Sequence, residues 1–242
     1  MSSGSPSSVA FVTGATGGIG RATAVALGRA GYRVGVCART AGRLERLLAE
    51  LRAEGIAAAG LPADVADESA VRAAVRHAAE ALGPIDLLVN NAGTAILRPF
   101  EELTPADWDA TMATNLRGLF LVTREVLPGM RQRRRGTIVN VASLAGKHGF
   151  AGGTAYAASK HAVLGFSRSL MLEVRKQGIR VVALCPGSVD TALLRDPGNR
   201  AVLKPNLDRV LRPEDVAQAI LDLVRLPDRV MVSEIELRPT DP

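Results

Sequence analysis

Thr13-Gly14-Ala15-Thr16-Gly17-Gly18-Ile19-Gly20 is the stretch on which the reading of this chain turns. The apolar run Val9-Ala10-Phe11-Val12 before it predicts a buried strand, and Arg21 to Ala30 after it carry apolar residues at helical spacing. Strand, glycine turn and helix together aim the free amides of a helix N-terminus at a phosphate. Gly14 can supply the tight turn, Gly18 lets backbone approach a pyrophosphate, and Gly20 allows close helix–strand packing. The glycine order is G-x-x-x-G-x-G rather than the commoner G-x-G-x-x-G, so the turn needs support from the rest of the chain.

That support is the alternation of strand and helix patterns on either side. Strands are predicted at residues 33–38, 57–62, 85–89, 137–141, 180–185 and 232–237. Helices are predicted at 41–54, from a cap at Asp67 to Leu82, from Pro105 (capped by Thr104) toward Asn115, and at 116–134, 154–177 and 213–224. Such alternation predicts an α/β fold: a single Rossmann-type, doubly wound parallel sheet of about seven strands with helices on both faces. No repeat or linker divides the chain, so residues 9–242 are expected to form one domain behind a flexible, Ser-rich tail at 1–8. In such sheets ligands bind at the carboxyl ends of the strands, where Gly14, Arg39, Asp64, Asn90, Ser143 and Pro186 all fall.

Composition narrows the function classes. No apolar run is long enough to span a membrane and no signal peptide is evident, so a cytoplasmic, membrane-free protein is expected. The net charge of +6 raises nucleic-acid binding, but aromatic residues are only 3%, too few for stacking platforms. The densest basic run, Arg131-Gln132-Arg133-Arg134-Arg135, reads as a solvated helix end, so no nucleic-acid partner is expected. Cys37 and Cys185 fall in strands without C-x-x-C partners and read as small buried hydrophobes; no metal-ligand spacing occurs.

Tyr156 and Lys160 are four apart on one predicted helix and share a face. An ammonium beside a phenol favours the phenolate and lowers its pKa. With these residues the chain resembles a classical short-chain dehydrogenase/reductase. The matching residues are the glycine turn, Asp64-Val65, Asn90-Asn91-Ala92-Gly93, Asn115, Ser143, Tyr156-Ala157-Ala158-Ser159-Lys160, Pro186-Gly187 and Thr191. They stand in the family's order, from Val9 to about Thr191.

The resemblance implies a Ser-Tyr-Lys-Asn site. Tyr156 would exchange a proton with the substrate oxygen, and Lys160 would lower its pKa and hold the nicotinamide ribose. Ser143 would bind the substrate oxygen, and Asn115 would hold a relay water. It also implies a cofactor cradle of Gly14, Thr16, Gly18, Ile19, Arg39, Asp64, Val65, Asn90, Ala92, Tyr156, Lys160, Pro186, Gly187, Val189 and Thr191. The second strand ends at Ala38 and Arg39 with no acid, which favours the 2′-phosphate of NADP(H) over NAD(H). Gly17 stands where some members carry a second basic residue. Lys147 and His148 should border the substrate, and the weakly periodic, breaker-rich segment 188–211 predicts a lid. Ala95, Ile96, Leu97, Leu144, Phe150, Leu193 and Leu194 predict an apolar pocket. The expected activity is reversible NADP(H)-dependent reduction of a small-molecule carbonyl to an alcohol. A 3-oxoacyl-(acyl-carrier-protein) reductase and a non-catalytic dinucleotide-binding regulator are the alternatives. The chain ends Ile235-Glu236-Leu237-Arg238-Pro239-Thr240 where the carrier-protein reductases typically have a glycine-rich turn, which leans the substrate toward a general ketone. The resemblance further implies a homotetramer, with the helices around Leu119 and Val163 as its interface.

Overall fold

The structure is a computed structural model and describes residues 8–240. The expectation of a flexible tail falls on residues 1–7, outside the described residues, apart from Ser8, whose carbonyl accepts from the Arg33 N–H. The elements run in order β1 (Val9–Thr13), α1 (Gly18–Arg29), β2 (Arg33–Ala38), α2 (Ala41–Ala53), β3 (Ala58–Pro62), α3 (Glu68–Leu82) and β4 (Ile85–Asn90). There follow α4 (Pro105–Met112), α5 (Gly118–Arg133), β5 (Gly136–Val141), α6 (Thr154–Val174) and β6 (Ile179–Pro186). The chain closes with α7 (Ala192–Arg195), α8 (Pro197–Leu203), α9 (Pro213–Arg225) and β7 (Glu234–Leu237).

The seven strands form one parallel sheet in the order β3-β2-β1-β4-β5-β6-β7. Both faces are covered, and the period of two in a strand shows it directly. Ala10 and Val12 of β1 pack with residues of α1, α2 and α9, whereas Val9 and Phe11 pack with α3, α5 and α6. Strand order reverses between β1 and β4, and that switch point opens a crevice at the strands' carboxyl ends. Among the described residues no helix is long and apolar enough to cross a membrane.

Leu119 and Val163 are themselves buried within the chain, and on the same helices Phe120 and Leu172 are exposed. Two expectations change. Segment 188–211 holds two short helices, α7 and α8, where no periodicity was legible. Asp196 caps α8 through the Gly198 and Asn199 N–H groups, with Pro197 at the first helical position. Finally, α4 and α5 are not separate helices end to end: a π-helical turn, Ala113–Arg117, joins them with helical dihedrals throughout. Such widened turns recur at functional sites.

Candidate active site

A cavity of about 800 Å³ occupies the crevice. The glycine turn forms one wall. Gly14 (φ +63°) and Gly18 (φ +50°) lie in the left-handed region that favours glycine. A Cβ at Gly14 would stand 2.8 Å from Ala92 Cα, and one at Gly18 2.8 Å from Thr191 Cγ2. Sequence reasoning assigned Asn90 a place in the cradle, yet its side chain points away from the crevice. Asn90 Nδ2 donates to Thr123 Oγ1 and Asn140 Oδ1, each at 2.9 Å, because alternation along β4 turns it toward α5. Its neighbour Asn91 braces the turn: Nδ2 donates to Thr13 O at 2.9 Å and to Gly14 O at 3.3 Å. Thr13 Oγ1 in turn accepts from the Asn91 and Ala92 N–H groups at 3.0 Å. The double-asparagine motif was the available signal, read one residue early.

The N-terminus of α1 faces this cavity with no side-chain cap and no acid in its first turn. By contrast, α3 is capped by Asp67 and carries Glu68. Uncapped amides beside Gly17, where a Cβ would meet nothing within 4 Å, are a donor set for an anion. The residues therefore fit the pyrophosphate of a dinucleotide.

The opposite wall carries the titratable groups. Ser143 follows β5 directly; its Oγ accepts from the Ala145 N–H at 3.1 Å and donates to Pro186 O at 3.5 Å. Tyr156 and Lys160 project from the first turns of α6, with Lys160 Nζ 5.8 Å from the Tyr156 ring centre. Lys160 is 5% exposed and donates to Val141 O at 2.9 Å. Burial pushes its pKa down to about 8. Burial also raises the Tyr156 phenol above its ordinary value, opposed by the nearby Ser143 hydroxyl. The lysine was expected to lower the tyrosine; in the free chain it is not among the causes, and desolvation dominates.

Asn115 lies in the π turn. Its Oδ1 accepts from the Thr94 N–H at 2.8 Å, and its Nδ2 donates to Thr94 O and Ser159 Oγ at 2.9 Å. Both ends of the amide are thus engaged in holding the loop after β4, so the side chain does not line the cavity. A Cβ on Gly93 would lie 3.3 Å from Asn115 Oδ1 and 3.7 Å from Lys160 Nζ, so both close on that glycine.

Ile19, Ala92, Pro186, Gly187, Val189 and Thr191 line the cavity, as do Ala95, Leu97, Leu144, Phe150, Leu193 and Leu194. Ile96 and Thr16 do not. Arg39 and Asp64 lie exposed beyond the ends of β2 and β3, outside the cavity, and Asp64 Oδ1 accepts from the Ala66 N–H at 2.9 Å. Val65 is buried against Gly118 at the start of α5. His148 lines the cavity, whereas Lys147 turns away to pair with Glu234 and Glu236 of β7. Arg238 and Pro239, just past β7, line it unforeseen.

Sequence reasoning also missed Asn199. It is 3% exposed and donates through Nδ2 to Ala95 O (3.1 Å) and Leu193 O (2.9 Å), while Oδ1 accepts from the Leu97 N–H at 3.2 Å. This side chain fastens α8 to the loop after β4. No sequence signal marks it.

Comparison with known proteins decides the family. The model of the short-chain dehydrogenase family matches residues 8–200. The chain belongs to the short-chain dehydrogenase/reductase family. It is an oxidoreductase by that membership. A Streptomyces coelicolor protein assigned as a ketoacyl reductase is 40% identical over 235 residues, covering 90% of each chain. A variant of actinorhodin polyketide ketoreductase, solved with NADPH, superposes with a TM-score of 0.89 at 37% identity, covering 96% of each chain. A metagenomic short-chain oxidoreductase in complex with NADP gives 0.84 at 36%, covering 98% of this chain and 99% of its own.

Proposed function

We propose that this protein is an NADP(H)-dependent ketoreductase, reducing a ketone to a secondary alcohol reversibly. The observation that carries the reading is the meeting of Ser143, Tyr156 and Lys160 in one largely apolar cavity with the glycine turn opposite. Gly14, Gly18, Ile19 and Thr191 would hold the dinucleotide, and Arg39 would take the 2′-phosphate. Bound there, the nicotinamide supplies the hydride in reduction and takes it up in oxidation.

The chain's own groups handle the oxygen. Ser143 Oγ donates to the substrate oxygen, which fixes its position and stabilises charge developing there. Tyr156 Oη gives its proton to that oxygen in reduction and recovers it in oxidation. Lys160 spends one N–H on Val141 O and retains two for ribose hydroxyls and the phenol. Asn115 acts by fixing the loop after β4 beside Lys160.

A 3-oxoacyl thioester is the second reading of the substrate, favoured by the ketoacyl reductase relatives. The proposal includes one domain over the described residues, since a single sheet runs through them. It also includes a homotetramer through the helices around Leu119 and Val163, α5 and α6, whose outward faces bear Phe120 and Leu172.

NADPH oxidation against a panel of ketones, aldehydes and 3-oxoacyl thioesters tests the reading. Turnover is expected with at least one class, and Tyr156→Phe should reduce it by roughly 100-fold or more, the usual scale of general acid catalysis. NADPH binding should persist in that variant. NADPH binding with no turnover across the panel would instead point to a regulator.

A further inference from the structure

The chain's second large cavity, about 690 Å³, lies at the other end of the sheet, under the amino-terminal ends of the strands. Its lining holds seven cationic side chains and two carboxylates, a balance of +5 in a chain whose net charge is +6. The basic character of the whole protein is therefore concentrated here.

Cations commonly gather where helices end, because the last carbonyls point outward. That accounts for part of the set. Arg133 donates to Ile85 O at 2.7 Å and lies 3.9 Å from Asp86. Arg180 donates to Leu226 O at 3.0 Å, Val224 O at 3.5 Å and Thr137 Oγ1 at 3.1 Å. Arg134 donates to Lys176 O at 3.0 Å. Arg135, Arg175, Lys176 and Arg229 are exposed, line the same cavity and have no ion pair with a carboxylate among the described residues. Four like charges around one hollow repel one another without a partner.

The hollow is also built rather than frayed. Arg134 adopts the left-handed conformation (φ +51°), costly for a side chain of its size. A Cβ at Gly178 (φ +73°) would strike the Arg134 carbonyl. With the Arg134–Lys176 hydrogen bond, this locks the turn after α5 to the turn after α6, so the two cation-bearing turns face the hollow as one piece. Tyr32, half-buried, stands in the wall within electrostatic range of Arg180 and Arg135.

We propose that this cavity binds a small polyanion carrying clustered phosphate groups, at a site separate from the catalytic crevice. Guanidinium groups match phosphate oxygens in pairs, and the volume is that of a small-ligand pocket rather than a track for a polymer. Fixed turns also mean that little order must be imposed on binding.

Tripolyphosphate is the probe, titrated calorimetrically into the whole protein with and without NADPH. The crevice has its own uncapped helix end, so the proposed site is the one that NADPH does not displace. One such site per chain is expected, with affinity falling as salt rises. The Arg175→Glu/Lys176→Glu double variant should weaken it tenfold or more while leaving NADPH binding unchanged. Arg229→Glu provides a second probe should the double variant fail to fold. No NADPH-independent binding at millimolar tripolyphosphate would overturn the proposal, as would wild-type affinity in the folded variants. Tighter binding of a random single-stranded oligonucleotide would overturn it in favour of a nucleic-acid surface.

Discussion

Replacing Asn199 with alanine should loosen α8 from the loop after β4 without touching the groups of the proposed chemistry. The side chain makes three hydrogen bonds, to Ala95 O, Leu193 O and the Leu97 N–H, which join α7, α8 and the loop after β4 along the cavity wall. A neutral hydrogen bond contributes about 1 kcal/mol net, so their loss costs on the order of 3 kcal/mol, and water pairing with the freed groups returns part of this. Taking about 2 kcal/mol, the equilibrium constant for opening rises roughly 30-fold. The two ends of segment 188–211 stay tied, because Asp190 N donates to Leu211 O and Leu211 N to Ser188 O. The loosening is therefore local. Hydrogen exchange should show the amides of Ala192–Leu203 and of Leu97 exchanging roughly 30-fold faster, with the strands of the sheet unchanged. Protection reduced by less than about threefold would refute the view that Asn199 fastens α8 to the loop after β4.

Arg39→Asp should move preference from NADPH toward NADH by roughly 10- to 150-fold in relative kcat/KM, the loss of one charge-assisted hydrogen bond of about 1.5–3 kcal/mol; an unchanged ratio would show that Arg39 faces only solvent. Ultraviolet titration of the free protein should find both Tyr32 and Tyr156 ionising above the ordinary tyrosine range, since burial raises each; a phenol titrating below it would contradict that environment. Glu236 is held down to about 2 by Lys147 and Arg238, so its contribution to stability is complete above the ordinary carboxylate range and lost as pH falls toward 2. Acid unfolding of Lys147→Met should accordingly begin at higher pH than in the wild type; coincident acid transitions would show the pairing contributes nothing.

The sheet was legible because burial on both faces writes a strand as an unbroken apolar run, and punctuation such as Asp67 and Thr104-Pro105 marks helix starts physically. The π turn was not. An i to i+5 bond, such as Gly118 N–H to Ala113 O, inserts one residue and shifts the phase of the apolar pattern there, which in sequence looks like the end of one helix and the start of another. The helices α7 and α8 have 4 and 7 residues, too few for a period to register, although Asp196-Pro197 was a readable start. At the site, motif residues were found by type and order, but what each side chain touches depends on which way the backbone turns it. Asn90 and Asn91 are adjacent and identical, and only their phase along β4 separates a core asparagine from one that braces the glycine turn. Lys147 was one residue from His148 and faces the other way for the same reason.

The electrostatics of Tyr156 and Lys160 bear on the direction of the proposed reaction. The largest cause is the same for both, removal from water, and it acts with opposite sign because one group is charged when it loses a proton and the other when it gains one. The phenol is driven up and the ammonium down to about 8, so both are pushed toward neutrality. Near neutral pH Tyr156 therefore rests in the protonated form, the form that gives a proton to a carbonyl oxygen. Ketone reduction starts from that state directly. Alcohol oxidation requires the phenolate, which the free chain disfavours, so its rate should climb as pH rises while the reduction rate falls. Burial thus sets Tyr156 as an acid first and a base second.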